Sequence, residues 1–220
     1  MAQASSQREA AGFTYHPQVS SFATPPQTYL ATRPDPRYSY IATGCFVFDR
    51  SEPEVPRILL LQRSETDSMP GCWEIPGGAC DDDDESILHG AARELLEETG
   101  LTAIRIGPQI GQGELFSSRS GKMICKFKFF VEVELDDEGR PSAVKLDPEE
   151  HQQYVWATQQ EVEARSSGSK QLVFTTPDLE NTILKSFSSS QVDFVDELKC
   201  SSMNTEICLP MAPPHEENLT

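Results

Sequence analysis

Ala91-Ala92-Arg93-Glu94-Leu95-Leu96-Glu97-Glu98-Thr99-Gly100-Leu101 is the stretch on which the reading of this chain turns. Leu88, Ala91, Ala92 and Leu95 recur at three- and four-residue steps, so Ser86 to Thr99 is expected to form a helix with one apolar face. Gly100 follows Thr99 as a stop signal. Glu94, Glu97 and Glu98 stand at i, i+3 and i+4 and project from one side of that helix. Like charges at this spacing cost about 0.2–0.5 kcal/mol per pair in water, and more when partly buried. Arg93 can reach Glu97 one turn on, but one guanidinium cannot neutralise three carboxylates. A hard divalent cation, Mg²⁺ or Mn²⁺, resolves the conflict because it takes carboxylate oxygens and water as ligands.

Upstream of the helix, Trp73-Glu74-Ile75 reads as a short extended piece stopped by Pro76-Gly77-Gly78, with an acidic turn behind it. Between Arg63 and Arg105 eleven acids stand against one base, Arg93, a local balance of −10 within a whole-chain charge of −17. Tyr40 to Phe48 and Arg57 to Arg63 read as two buried strands. Downstream, Lys122 to Leu135 alternates around Phe127, Phe129, Val131 and Val133, and Tyr154 to Ala157 is a further short strand. Gln159 to Ala164 and Asp178 to Phe187 are expected to be helices. Strands, one central helix, more strands and terminal helices favour a mixed α/β sandwich over a regular doubly wound fold.

The 220 residues suit one domain with tails. Residues 1–38, rich in Ser, Gln, Pro and Ala, are expected to be a partly disordered arm whose aromatics (Phe13, Tyr15, Phe22, Tyr29) could lie against the domain. Residues 39–188 form the domain, and 189–220 read as a flexible tail. So acidic a chain is a poor partner for duplex nucleic acid or an anionic membrane, because phosphate binding depends on Lys and Arg. It has no apolar run long enough for a membrane helix and no secretory h-region. The six cysteines form no C-x-x-C pair and follow no zinc spacing. Free thiols fit a reducing compartment, so a cytoplasmic protein is expected, with the nucleus left open.

With these residues in view, the segment resembles the signature of the Nudix hydrolases, G-x5-E-x7-R-E-U-x-E-E-x-G-U, with U aliphatic. Read backward from Leu101, the match runs through Gly100, Glu98, Glu97, Leu95, Glu94 and Arg93 to Glu85. The opening glycine falls on Gly78, with one extra residue between Gly78 and Glu85. Trp73 to Gly78, the Trp156-Ala157 strand and the short helix after it are similar to the family too, so the resemblance spans about residues 40–187.

The resemblance implies a Nudix α/β/α sandwich with a mixed sheet. It implies Mg²⁺- or Mn²⁺-dependent hydrolysis of a small-molecule diphosphate, a nucleoside diphosphate linked to another group or a related pyrophosphate, with a homodimer as an open assembly. Glu94 and Glu98 would be metal ligands, Glu97 a further ligand or base, and Arg93 the residue that orients this face. The Gly78 carbonyl is a weaker ligand candidate. Many members use an acid from a later loop, and Glu150 is the candidate here, with Glu149 second.

Other signals are set aside. Asp81 to Asp84 are expected to face solvent, His151 to be a polar turn residue, His89 to pack, and Trp73 and Trp156 to be core. Phe116, Ser117 and Ser118 lie where substrate signals usually fall, but they name no substrate. Two rivals remain: a non-catalytic Nudix module that binds a nucleotide or a partner, and an isoprenoid diphosphate isomerase, whose cysteine context is not recognisable.

Overall fold

The computed structural model describes residues 12–33, 35, 37–118 and 120–189. A mixed sheet dominates it. β2 (Tyr40–Asp49) runs parallel to β7 (Met123–Val133), from Tyr40 opposite Ile124 to Val47 opposite Val131. On one side, β5 (Ala103–Gln109) and β6 (Glu114–Ser117) pair antiparallel with β7. On the other, β3 (Arg57–Arg63) pairs antiparallel with β2, with the short β4 (Trp73–Glu74) and with β8 (His151–Thr158).

The period-two pattern of the strands divides their side chains between two cores. Ile41, Cys45 and Val47 of β2, Leu59 and Leu61 of β3, and Phe127, Phe129 and Val131 of β7 face one core together with α2 (Ile87–Thr99). Phe46, Ile58, Leu60 and Phe130 face the other, against α3 (Gln159–Glu163) and α4 (Pro177–Ser189). Helices thus cover both faces of a mixed sheet, which is the α/β/α sandwich expected from the sequence.

The arm lies against the domain through its aromatics. Thr14–Tyr15 forms β1, parallel to β5, and α1 (Pro26–Thr32) follows a 3-10 turn over Pro17–Phe22. Phe13, Val19, Phe22 and Tyr29 are buried in the core shared with α2. The Phe22 ring lies 4.8 Å from that of Phe127 and 5.2 Å from that of Phe129, so these residues belong to the domain itself. Residues 1–11 and 190–220, for which disorder and flexibility were expected, lie outside the described residues. β5 and β6 were not foreseen either: Gly107 and Pro108 interrupt the strand signal of β5, and β6 has only four residues. A hairpin of β9 (Ser166–Ser167) and β10 (Lys170–Gln171) precedes α4.

Candidate active site

The site is made where the chain leaves β4 and passes over β2. Pro76 O accepts from Cys45 N (2.8 Å), Gly78 O from Thr43 N (2.8 Å), and Ile41 O from Cys80 N (3.0 Å), so residues 76–80 are zipped along β2. Gly77 has φ +135°, and a Cβ there would lie 2.3 Å from Thr43 O, so no other residue fits this close crossing. A Cβ on Gly78 would lie 2.4 Å from Glu94 Oε2, so the bare Gly78 backbone is what lets the Glu94 carboxylate lie against this segment.

α2 supplies the carboxylates. The Ser86 hydroxyl caps it by accepting from His89 N, and Gly100 ends it in the left-handed conformation. Leu88, Ala91 and Leu95 are fully buried and fix the helix against the sheet. The three glutamates then diverge. Glu98 is buried, accepts a 2.7 Å hydrogen bond from the Gly77 amide, and is pushed by that burial up to about 7. Glu94 is also raised by burial, against the pull of Arg93. Glu97 is mostly exposed, its side chain retaining 58% of its surface.

Arg93 is the hub of this face. Its NH1 reaches Glu94 Oε1 and Glu97 Oε2, each at 2.9 Å. Its NH2 reaches the Ala79 carbonyl at 3.0 Å. One guanidinium thus pairs with two of the three glutamates, where the sequence suggests only the Glu97 contact. Among the described residues, Glu98 is the member of the trio that makes no ion pair.

The acidic turn needs a correction. Asp84 does not face solvent: its side chain is 6% exposed and accepts from Arg93 Nε (3.0 Å) and NH2 (3.1 Å), and from Asp81 N (2.8 Å). Glu85 is 75% exposed and lies near His89. Five residues separate Gly78 from Asp84 and eight separate Asp84 from Arg93. Asp84, and not the neighbouring Glu85, is therefore the acid of this turn that meets Arg93. Charge alone could not separate the two neighbours, because only the turn geometry decides which carboxylate meets Arg93.

A second correction concerns His151. The strand β8 begins three residues earlier than expected, and its first residue, His151, pairs with Arg63 across the sheet. The imidazole is buried, with Nε2 3.4 Å from Glu74 Oε1. Burial opposes its protonation, but the Glu74 hydrogen bond and the charges of Glu98 and Glu74 outweigh it and raise its pKa. Glu74 is buried and ion-paired to Arg63. Burial pushes the Glu74 carboxyl upward, but His151, Lys126 and Arg63 together hold it below the ordinary value. Oxygens of Glu98 and Glu150 and a ring nitrogen of His151 all lie within 4.8 Å of one another. Glu150, exposed and just ahead of β8, is thus brought to Glu98.

Gly77 and Gly78 also wall a cleft of about 580 Å³, with β6 and β7 opposite. Phe116, Ser117 and Ser118 line it, together with Arg63, Lys126 and Lys128. Arg63 is bound to Glu74 and Asp67, and Lys128 to Glu114 at 2.5 Å. Among the described residues Lys126 makes no ion pair, while its charge lowers the pKa values of both Glu74 and Glu98.

A helix of buried and arginine-bound carboxylates, set against a Gly-Gly crossing beside a cationic cleft, defines a class. A family model described as a NUDIX domain matches residues 39–175, and the chain belongs to the Nudix family. It is a metal-dependent pyrophosphohydrolase acting on phosphorus-containing anhydrides. Among solved structures it is similar to a MutT protein from Methanosarcina mazei Go1, 27% identical at a TM-score of 0.50, over 71% of this chain and 98% of that one. It shares the fold of an Ap4A hydrolase from C. elegans in a binary complex (20% identical, TM-score 0.52, 70% and 98% covered). It also shares that of a NUDIX hydrolase from Nitrosomonas europaea (21%, 0.50, 72% and 94%). No curated protein matches. Among the described residues no helix is long and apolar enough to cross a membrane.

Proposed function

We propose that the chain cleaves the diphosphate linkage of a nucleoside diphosphate derivative or a related small pyrophosphate, with Mg²⁺ or Mn²⁺ bound at the α2 face. The observation that carries this reading is Glu98: a buried carboxylate that makes no ion pair among the described residues, aligned by the Gly77 amide and met by Glu150. A buried anion in that state is costly unless a cation joins it, so the donor set fits a hard divalent ion. Glu98, Glu94 and Glu150 would hold it, with the Gly78 carbonyl, which accepts one bond from Thr43 and keeps a second lone pair. When bound, the cation polarises phosphoryl oxygens and activates water for attack on phosphorus.

The chain's own groups supply the rest. Asp84 fixes the Arg93 guanidinium, and Arg93 holds Glu94 and Glu97 in place. Glu97, the solvated carboxylate of the trio, accepts the proton of the attacking water. Lys126, the cleft cation free of a carboxylate, receives a substrate phosphate. Phe116, 40% exposed on the wall of the cleft, offers a ring face to a planar base. The non-catalytic alternative would be favoured by missing carboxylates, and Glu94, Glu97 and Glu98 are all present.

The test is a panel of nucleoside diphosphate sugars, dinucleoside polyphosphates and nucleoside triphosphates, assayed with Mg²⁺, with Mn²⁺ and with EDTA. Metal-dependent release of a nucleoside monophosphate or pyrophosphate is expected. Turnover undiminished in EDTA would overturn the reading.

A further inference from the structure

His151 is the buried polar group of the site that the proposed reaction leaves unused. Its side chain is 2% exposed, at the first position of β8. Nε2 is engaged with Glu74 Oε1, and Glu74 is in turn clamped by Arg63. Nδ1 is buried with no hydrogen-bond partner among the described residues. A buried polar atom in that state calls for a reason, since leaving it unsatisfied costs free energy. If Nε2 carries the proton and donates it to Glu74, Nδ1 is left with a free lone pair. If both nitrogens were protonated, the Nδ1 proton would meet no acceptor at hydrogen-bond distance among the described residues.

Carboxylate, imidazole and metal in series form a recurring arrangement. The carboxylate fixes tautomer and ring orientation, and the other nitrogen ligates. Here the carboxylate is Glu74, and a ring nitrogen of His151 lies within 4.8 Å of oxygens from Glu98 and Glu150. We propose that His151 Nδ1 is a ligand of the divalent cation, joining Glu98 and Glu150 in a mixed nitrogen and oxygen site that favours Mn²⁺ over Mg²⁺. Mg²⁺ is a hard ion that seeks oxygen donors, whereas imidazole suits first-row transition metals better. The inference rests on the reading that Glu98 holds a cation, and it adds to that reading a residue outside the family signature.

Pulsed electron paramagnetic resonance on the full-length chain loaded with Mn²⁺ tests it without any turnover. Modulation from a directly bound ¹⁴N nucleus is expected, and it should change to the ¹⁵N pattern when histidine is ¹⁵N-labelled. His151→Gln should abolish it and weaken Mn²⁺ binding by calorimetry about tenfold or more, with a smaller change for Mg²⁺. His151→Asn serves as a second substitution, and the labelling experiment needs none should both variants misfold. Bound Mn²⁺ without nitrogen modulation, or modulation that survives His151→Gln, would overturn the assignment and leave the Glu98 site standing. A chain that binds no Mn²⁺ would overturn both.

Discussion

Asp84 and Arg93 form a two-pronged ion pair, Oδ1 to Nε at 3.0 Å and Oδ2 to NH2 at 3.1 Å, with the aspartate side chain almost fully covered. Arg93 in turn holds Glu94 and Glu97, so the acidic turn governs carboxylates a helical turn or more away. Asp84→Asn removes one charge and leaves Arg93 free to move. It should lower kcat/KM by about 10–100-fold, the range for residues that orient a metal's ligands. Glu85→Gln, on an exposed side chain, should leave kcat/KM nearly unchanged. Steady-state kinetics of the two variants against one substrate decide the matter.

Lys126 is expected to act on binding more than on chemistry. Lys126→Met should raise KM by about tenfold or more, the scale of one charge-assisted hydrogen bond, and Lys126→Arg should restore part of it. A fall in kcat with KM unchanged would place Lys126 in the chemical step instead.

The buried arm predicts a stability effect far from the chemistry. Phe22 packs on Phe127, Phe129 and Tyr29. Phe22→Ala should cost about 3–5 kcal/mol in urea unfolding, as for other buried aromatics. An effect below about 1 kcal/mol would mean that the arm is dispensable to the core.

Glu98 also predicts a pH dependence for the metal-free protein. Its pKa is raised from 4.5 to about 7 in the folded state. The folded chain therefore holds that proton more tightly than the unfolded chain. The resulting stability is fully present below the unfolded value and is lost as pH rises through about 7. In EDTA, wild type should lose stability between about pH 5 and 8 relative to Glu98→Gln, by on the order of 2 kcal/mol. Parallel pH profiles for the two proteins would refute it.

The central helix and the main strands were legible because their signals are local. The 3.6-residue period of α2, the Gly100 stop and the alternation of β7 each specify one element within a dozen residues. What could not be read depends on tertiary contact. Phe13, Phe22 and Tyr29 are legible as aromatics that could lie against the domain, but β1, α1 and the open face of β5 and β7 that makes them core are not. Asp84 and Glu85 are adjacent and equally acidic, and the turn alone chooses between them. His151 reads as a polar turn residue in isolation, because its burial follows from β8 pairing up to Arg63 and from Glu74 on β4.

Glu98 is the carboxylate on which the proposed metal site depends. Glu98→Gln, measured alongside wild type, should be read by kcat/KM at saturating Mg²⁺ and by the Mg²⁺-induced shift in Tm. The expected result is a loss of activity on the order of 100-fold or more, together with loss of the Tm shift and a fold that survives in EDTA. Wild-type activity and an undiminished Mg²⁺ shift in Glu98→Gln would contradict it.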